Sequence, residues 1–402
     1  MLKKISFSLP LLFIFISQTA MAQNTIDIYG YVQSSYLFFH NYYNPFPPSG
    51  EANYTYHNMG INQLNLFFAK DFGDDFSSFI NFEFVNNYSS DKGFGSFNLS
   101  EAYIKWDYRD FLKLKFGMVI PQFNALFEIY NRTPLLPYVV RPKLYDATSG
   151  NLVDIFDILP QKALIQIYGS IPVESTNLEY ALFAGNPPNS FLSSPNNNLL
   201  PGYVAYGQSA VNYISFGGRI GIRTSNIRLG VSASFDKDNR RNFIKNSLGD
   251  SVNLGDLNRY RLGSDLYFKL GNFELSAEYL ITKTKVSSDL QDSLDTWNAS
   301  DPYFIGKSFD KTFYYATLLY NVSSKIFVYI MYDYLNDSVN PYYFGLDGYY
   351  GYHLGGGYYL NDNILFKIQY FKNFGRFDTG EAVIPIRNYY ENNVAVGVSI
   401  IF

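Results

Sequence analysis

The chain has 402 residues, no cysteine, 16% charged residues and a formal net charge of −4 at pH 7. The missing cysteine excludes a disulfide framework and thiol chemistry, the mild acidity argues against a nucleic-acid partner, and His40, His57 and His353 alone give little material for a metal site or a Ser-His-Asp arrangement. Charge falls below the roughly 25% of a typical soluble domain, while Tyr (38) and Phe (37) are heavily used, which suits a wall with one lipid face and aromatic belts at its rims.

The chain opens with Lys3-Lys4, an apolar run from Ile5 to Ile16, and Ala20-Met21-Ala22 before Gln23. A basic start, a short apolar run and an A-x-A site predict a secretory signal peptide over residues 1–22, because the run is too short to span a bilayer as a helix. Residues 23–402 then form one domain. No later stretch approaches the roughly 20 apolar residues a helical span requires, so a membrane-embedded chain must cross as a closed barrel whose strands satisfy one another's backbone.

From Thr25 the alternation of apolar and polar residues predicts strands over 25–39, 61–70, 76–87, 97–108 and 112–117, then 161–170, 177–185, 213–224 and 227–236. It continues over 256–270, 273–286, 309–320, 326–335, 349–360, 364–372 and 389–402. Several pairs are joined by tight turns, Ser225-Asn226 and Gly271-Asn272 among them, whose residues tolerate the positive φ of a two-residue hairpin. Other connections are long and rich in Asn, Ser, Gly, Pro and Asp; the first is 40–56 and the longest 121–160. Alternately long and short connections between about 16 strands are the arrangement of an all-β, antiparallel transmembrane barrel with long extracellular loops. No plug domain is expected before the first strand, and so many strands enclose water rather than a packed core.

The last strand is the clearest. Val394, Val396, Val398, Ile400 and Phe402 lie on one face, and Asn393, Ala395, Gly397 and Ser399 on the other. This strand, ending on phenylalanine, resembles the closing strand of Gram-negative outer-membrane barrels. The hairpin Glu101-Ala102-Tyr103 to Leu112-Lys113-Leu114-Lys115-Phe116-Gly117 is similar to the one before the constriction loop of trimeric porins, anion-selective ones included. The resemblance implies an outer-membrane porin of a Gram-negative bacterium, a homotrimer among outer-membrane lipids, passing small hydrophilic solutes or ions without catalysis. A substrate-specific channel is the near alternative. A secreted or surface β-protein using Tyr342-Tyr343-Phe344 and Tyr349-Tyr350 to bind glycans is the distant one.

By position, 121–160 matches the porin loop that folds inward. It carries Arg132, Arg141, Lys143, Asp146, Asp154 and Asp157, and its apolar pairs, such as Leu135-Leu136 and Val139-Val140, argue against disorder. Assigning the polar member of each zigzag to the lumen places Lys105, Lys113, Lys115, Arg219, Arg223, Arg228, Arg259, Arg261, Lys269 and Lys367 inside. Glu83, Glu101, Asp107, Glu179, Asp265, Glu274, Glu278 and Asp333 join them. Lys113 and Lys115 just before the loop, with Arg259 and Arg261 sharing one face, hint at anion preference, the alternative being mutually neutralised pairs that merely hydrate the wall. No nucleotide-binding fingerprint opens a helix, and Gly355-Gly356-Gly357 lies within a strand as a close backbone approach or a kink; no cofactor or metal is expected.

Overall fold

The computed structural model describes residues 25–44, 52–73, 75–87, 96–146, 158–160, 162–186, 214–237, 243–245, 251–253, 258–285, 311–337, 348–376 and 388–402. Its strands are β1 (Asp27–Asn44), β2 (Ala52–Gly73), β3 (Phe76–Asn87), β4 (Ser96–Arg109), β5 (Leu112–Val119), β6 (Ala163–Val173), β7 (Thr176–Gly185), β8 (Ser215–Arg223) and β9 (Ile227–Lys237). There follow β10 (Phe243–Lys245), β11 (Ser251–Asn253), β12 (Asn258–Leu270), β13 (Phe273–Lys285), β14 (Lys311–Asn321), β15 (Ile326–Asp337), β16 (Gly348–Asn361), β17 (Ile364–Arg376) and β18 (Asn388–Ile401). All except β10 and β11 pair antiparallel with their neighbours in one closed ring, sixteen strands around, in which β18 returns to β1. β10 and β11 form a separate two-stranded ribbon inside the connection expected to be irregular. Among the described residues no helix is long and apolar enough to cross a membrane.

The alternation read from the sequence sets the two faces. On β18, Asn393, Ala395 and Ser399 are buried toward the interior, while Val396 and Ile400 face outward, 42% and 38% exposed. The outer face continues with Leu262, Val231, Ile220, Ile330 and Leu354. The ring closes at its end through Gly30 N–H to the Phe402 carbonyl (2.8 Å) and Phe402 N–H to the Gly30 carbonyl (3.0 Å). The Phe402 ring lies against Gly30, where any side chain would strike it.

Short turns carry their own hydrogen bonds, as turn chemistry requires. Thr224 Oγ1 accepts from the N–H groups of Asn226 (3.3 Å) and Ile227 (3.1 Å), and Asn361 Oδ1 accepts from Asn363 N–H (2.9 Å). Gly271 takes φ +58, as the Gly-Asn turn predicts.

Two boundaries differ from expectation. β1 and β2 run well into the segment read as a loop over 40–56, so that His40 pairs opposite Thr55 and His57 opposite Phe38. The polar Asn41 and Thr55 hid a ladder held by rings: Phe39 stacks on Tyr56 (4.5 Å) and Tyr42 on Tyr390 (4.7 Å). The glycan-platform alternative also fails where it can be followed. Tyr349 is 1% exposed, and Tyr350 stacks on Phe374 at 4.9 Å in the barrel wall; residues 342–344 lie outside the described residues.

Candidate functional site in the lumen

Residues 120–146, which follow β5, cross the interior of the ring. Their bonds reach inward-facing groups on strands far apart around the wall. Tyr31 OH on β1 donates to the Asn131 carbonyl (3.3 Å), and Gln33 Nε2 donates to the Val139 carbonyl (3.0 Å). Asn131 Nδ2 donates to Ser100 Oγ on β4 (3.0 Å), and Ser232 Oγ on β9 donates to the Phe123 carbonyl. On β13, Glu278 accepts from Leu126 N–H (2.5 Å) and Tyr145 OH (2.7 Å). Tyr138 OH donates to Thr317 Oγ1 on β14 (2.8 Å), and Lys143 N–H to Asp333 Oδ2 on β15 (2.6 Å).

The strongest anchor is Lys367 on β17. Its ammonium donates toward the carbonyls of Thr133 (3.0 Å), Pro134 (3.2 Å) and Tyr138 (3.2 Å) and toward Gln33 Oε1 (2.9 Å). A buried cation held by several oxygens is stable only while all of them stay in place. Two residues along, Gln369 Oε1 accepts from the N–H groups of Val139 and Val140, both at 2.9 Å.

The segment brings its own core. Phe123, Phe127, Leu136, Tyr138, Leu144 and Tyr145 pack against inward side chains of the far wall, among them Phe313, Tyr315, Phe327, Tyr329, Met331 and Leu335. The inward face of β14 to β16 is therefore largely apolar, and the expectation that the lumen takes the polar member of each zigzag is corrected there. Tyr329 and Phe327 can lie flat because Gly355 and Gly357 opposite them have no side chain to collide with, the close approach expected of that glycine run. Burial pushes the Tyr138 phenol up to about 12 despite its bonds to Thr317 and Ser276. Burial, reinforced by the Glu278 charge, also raises Tyr145, so both stay neutral hydrogen-bonding posts.

The opposite wall, β4 to β9, is built differently. Lys105 pairs with Asp107 (2.5 Å) and Lys113 with Asp110 (3.4 Å). Lys115 Nζ sits between the rings of Tyr103 (4.9 Å) and Tyr168 (5.3 Å). Arg219 is gripped by Asp265 through two bonds of 2.9 and 2.6 Å. It reaches there by lying over Gly230, where a Cβ would collide with its guanidinium. Glu179 is shared by Arg219 (3.5 Å), Arg223 (2.7 Å) and Arg228 (3.4 Å). Three guanidiniums against the two carboxylates of Glu179 and Asp265, with Arg223 47% exposed, leave this strip one positive charge in surplus.

The remaining sequence-predicted residues are scattered. Arg132 stands half-buried on the segment, and on the wall Gln63, Glu83, Asn65 and Asn81 form a chain of amides and a carboxylate. Arg141 is buried against Asp146 (3.8 Å), and Lys143 lies over the Tyr349 ring (5.1 Å). Arg259 and Arg261 point inward on β12 but are buried, Arg261 paired with Asp236 at 2.7 Å. Asp154 and Asp157 lie outside the described residues. Sequence reading missed Gln33, Asn131 and Gln369. The available signal was Lys367 and Gln369 themselves, polar residues spaced by two between Leu365 and Phe371 on one strand face.

A closed antiparallel ring of sixteen strands with one connection folded into its interior is the fold of the outer-membrane porins. The anion-selective porin from Comamonas acidovorans superimposes with a TM-score of 0.56 at 12% identity, covering 94% of this chain and 100% of that one. The OmpF of Salmonella typhi, solved in complex with daunomycin, gives 0.53 at 13% identity over 94% of this chain and 98% of its own. OmpT of Vibrio cholerae in its trimer form gives 0.51 at 13% identity, with 94% and 99% covered. No family model matches the sequence, and no curated protein does.

Proposed function

We propose that the chain is an outer-membrane channel through which small hydrophilic solutes or ions diffuse past an inward constriction loop, with anions favoured. The observation that carries this is the division of the lumen. The 120–146 segment is fastened to β13–β17 by Lys367, Gln369, Asp333 and Glu278. Away from its contacts with Ser100, Gln166 and Ser232, it leaves the Arg223 end of the β4–β9 wall exposed. Rings of charge near a narrow passage set ion preference, so Lys105, Lys113, Lys115, Arg219, Arg223 and Arg228 would govern it, with Arg132 on the loop side. The anion-selective Comamonas neighbour supports the same sign. The Lys3-Lys4 start and Ala22 site support export with cleavage, and the trimer form of the Vibrio neighbour supports a homotrimer. Diffusion through a wall of ion pairs asks for no catalysis.

The test is a planar bilayer. Purified protein should give stepwise currents, and in a salt gradient the reversal potential should take the sign of anion preference. Lys115→Gln should move that potential toward zero. Absence of current from folded, inserted protein would sink the channel reading. The dense packing of the loop favours a second reading, a channel selective for one solute, which saturable flux in liposomes would reveal.

A further inference from the structure

We propose that His353 is an acid-sensitive latch on the inward loop, releasing the 139–143 stretch when its imidazole takes up a proton. His353 is inward on β16 and 5% exposed. Its Nε2 lies 3.2 Å from Asp333 Oδ1 on β15, and its Nδ1 lies 3.0 Å from Gln369 Nε2 on β17. The ring stacks on Phe371 with centroids 5.6 Å apart, which fixes its plane.

The tautomer follows from the partners. Gln369 Oε1 already accepts two loop N–H groups, from Val139 and Val140, and its Nε2 also donates to the Val140 carbonyl at 2.9 Å. The amide therefore presents N–H to the imidazole, and Nδ1 must accept. Nε2–H then donates to Asp333, whose other oxygen takes Lys143 N–H. One neutral imidazole thus sets the orientation of both groups that hold residues 139–143.

A proton on Nδ1 turns that acceptor into a donor facing a donor. Gln369 can relieve the clash by turning its oxygen to the imidazolium. Its NH₂ then meets the Val139 and Val140 N–H groups, and three loop bonds are lost together. The charge itself is accommodated by Asp333 and by Asn373 Oδ1, a buried acceptor without a hydrogen-bond partner that crowds the same spot beside Gly351 as His353 Nε2. The charged groups on the surrounding elements are Asp333 on β15, Lys367 on β17 and Glu391 on β18, reached through Asn373 (2.9 Å), with Arg141, Lys143 and Asp146 on the loop. Lys367 is taken up by loop carbonyls and Gln33, Arg141 by Asp146 and the Tyr130 carbonyl, and Lys143 extends over Tyr349.

Amide hydrogen exchange on intact, membrane-inserted protein tests the latch without any current. Wild type and His353→Gln, which keeps a neutral acceptor and donor, are compared at the same pH, once at about 8 and once at about 5. The amides of Val139 and Val140 should lose protection at the acid value in wild type and keep it in His353→Gln. His40→Gln and His57→Gln, whose rings bond Thr55 and Tyr36 on the outer wall, should behave as wild type. Gln369→Met should expose the stretch at both values with no further acid effect, which keeps the test open should His353→Gln fail to assemble. Equal protection at both pH values in wild type, or acid loss that persists in His353→Gln or Gln369→Met, overturns the latch. In bilayers the same transition should appear as a pH-dependent conductance missing from His353→Gln. That last effect alone rests on the channel reading, so acid release without current would fault the channel and leave the latch standing.

Discussion

The two halves of the lumen use one backbone pattern for opposite ends. On β14 to β16, inward Phe313, Tyr315, Phe327, Tyr329, Met331 and Leu335 seat a folded segment as a core seats a helix. On β4 to β9, the inward positions include Lys105, Lys115, Arg219, Arg223 and Arg228, in ion pairs or between rings, beside Ala163 and Phe183, which join the loop's core, and Arg223 stays 47% exposed. The contrast teaches that a wide barrel need not be lined uniformly. An apolar inner wall positions a loop; a charged inner wall remains for solutes.

That division can be broken most severely from the packed side. Phe313→Ala empties a fully buried site between loop and wall and should cost about 3–5 kcal/mol of unfolding free energy in urea titrations; a change under half of that would mean the loop is not part of the core. On the outer face, Val231→Arg at 61% exposure should cost about 2–4 kcal/mol in lipid vesicles, and a neutral result would invert the assignment of faces. Lys367→Met removes the cation that gathers three loop carbonyls, so exchange at residues 133–138 should accelerate and unitary conductance should rise as the loop leaves its seat; unchanged exchange would show that apolar packing alone suffices. The mildest change is Arg223→Ala. An exposed pair contributes about 0–1 kcal/mol, so stability should barely move while the reversal potential shifts toward cation preference, and an unmoved potential would remove this strip from the permeation path.

Much of the fold was legible because β-strand side chains alternate strictly. Val394 to Phe402 declares its outer face, and Ser225-Asn226 and Gly271-Asn272 mark turns at the positions where β9 and β13 begin. The loop announced itself by length and by its Leu and Val pairs. What stayed hidden has a physical cause. In Ile326-Phe327-Val328-Tyr329-Ile330-Met331 both faces are apolar, so alternation cannot say which meets the loop; only Asp333 marks the inward set. The anchors were hidden for another reason. Gln33 meets Val139, and Lys367 meets Thr133, across 106 and 234 positions, and no local pattern encodes a partner so remote.

The closure of the ring also constrains how the chain folds. β1, near one end of the sequence, finds its second neighbour only in β18, where Tyr31 lies opposite Ile401. Until that last strand arrives, a row of β1 backbone donors and acceptors stands open, the kind of edge that recruits other chains. Contacts this distant in sequence form slowly, since the loop-closure entropy is lost before any pairing repays it. The final fourteen-residue strand thus acts as a completion check, because a chain cut short before it keeps two raw edges and cannot finish as a single molecule.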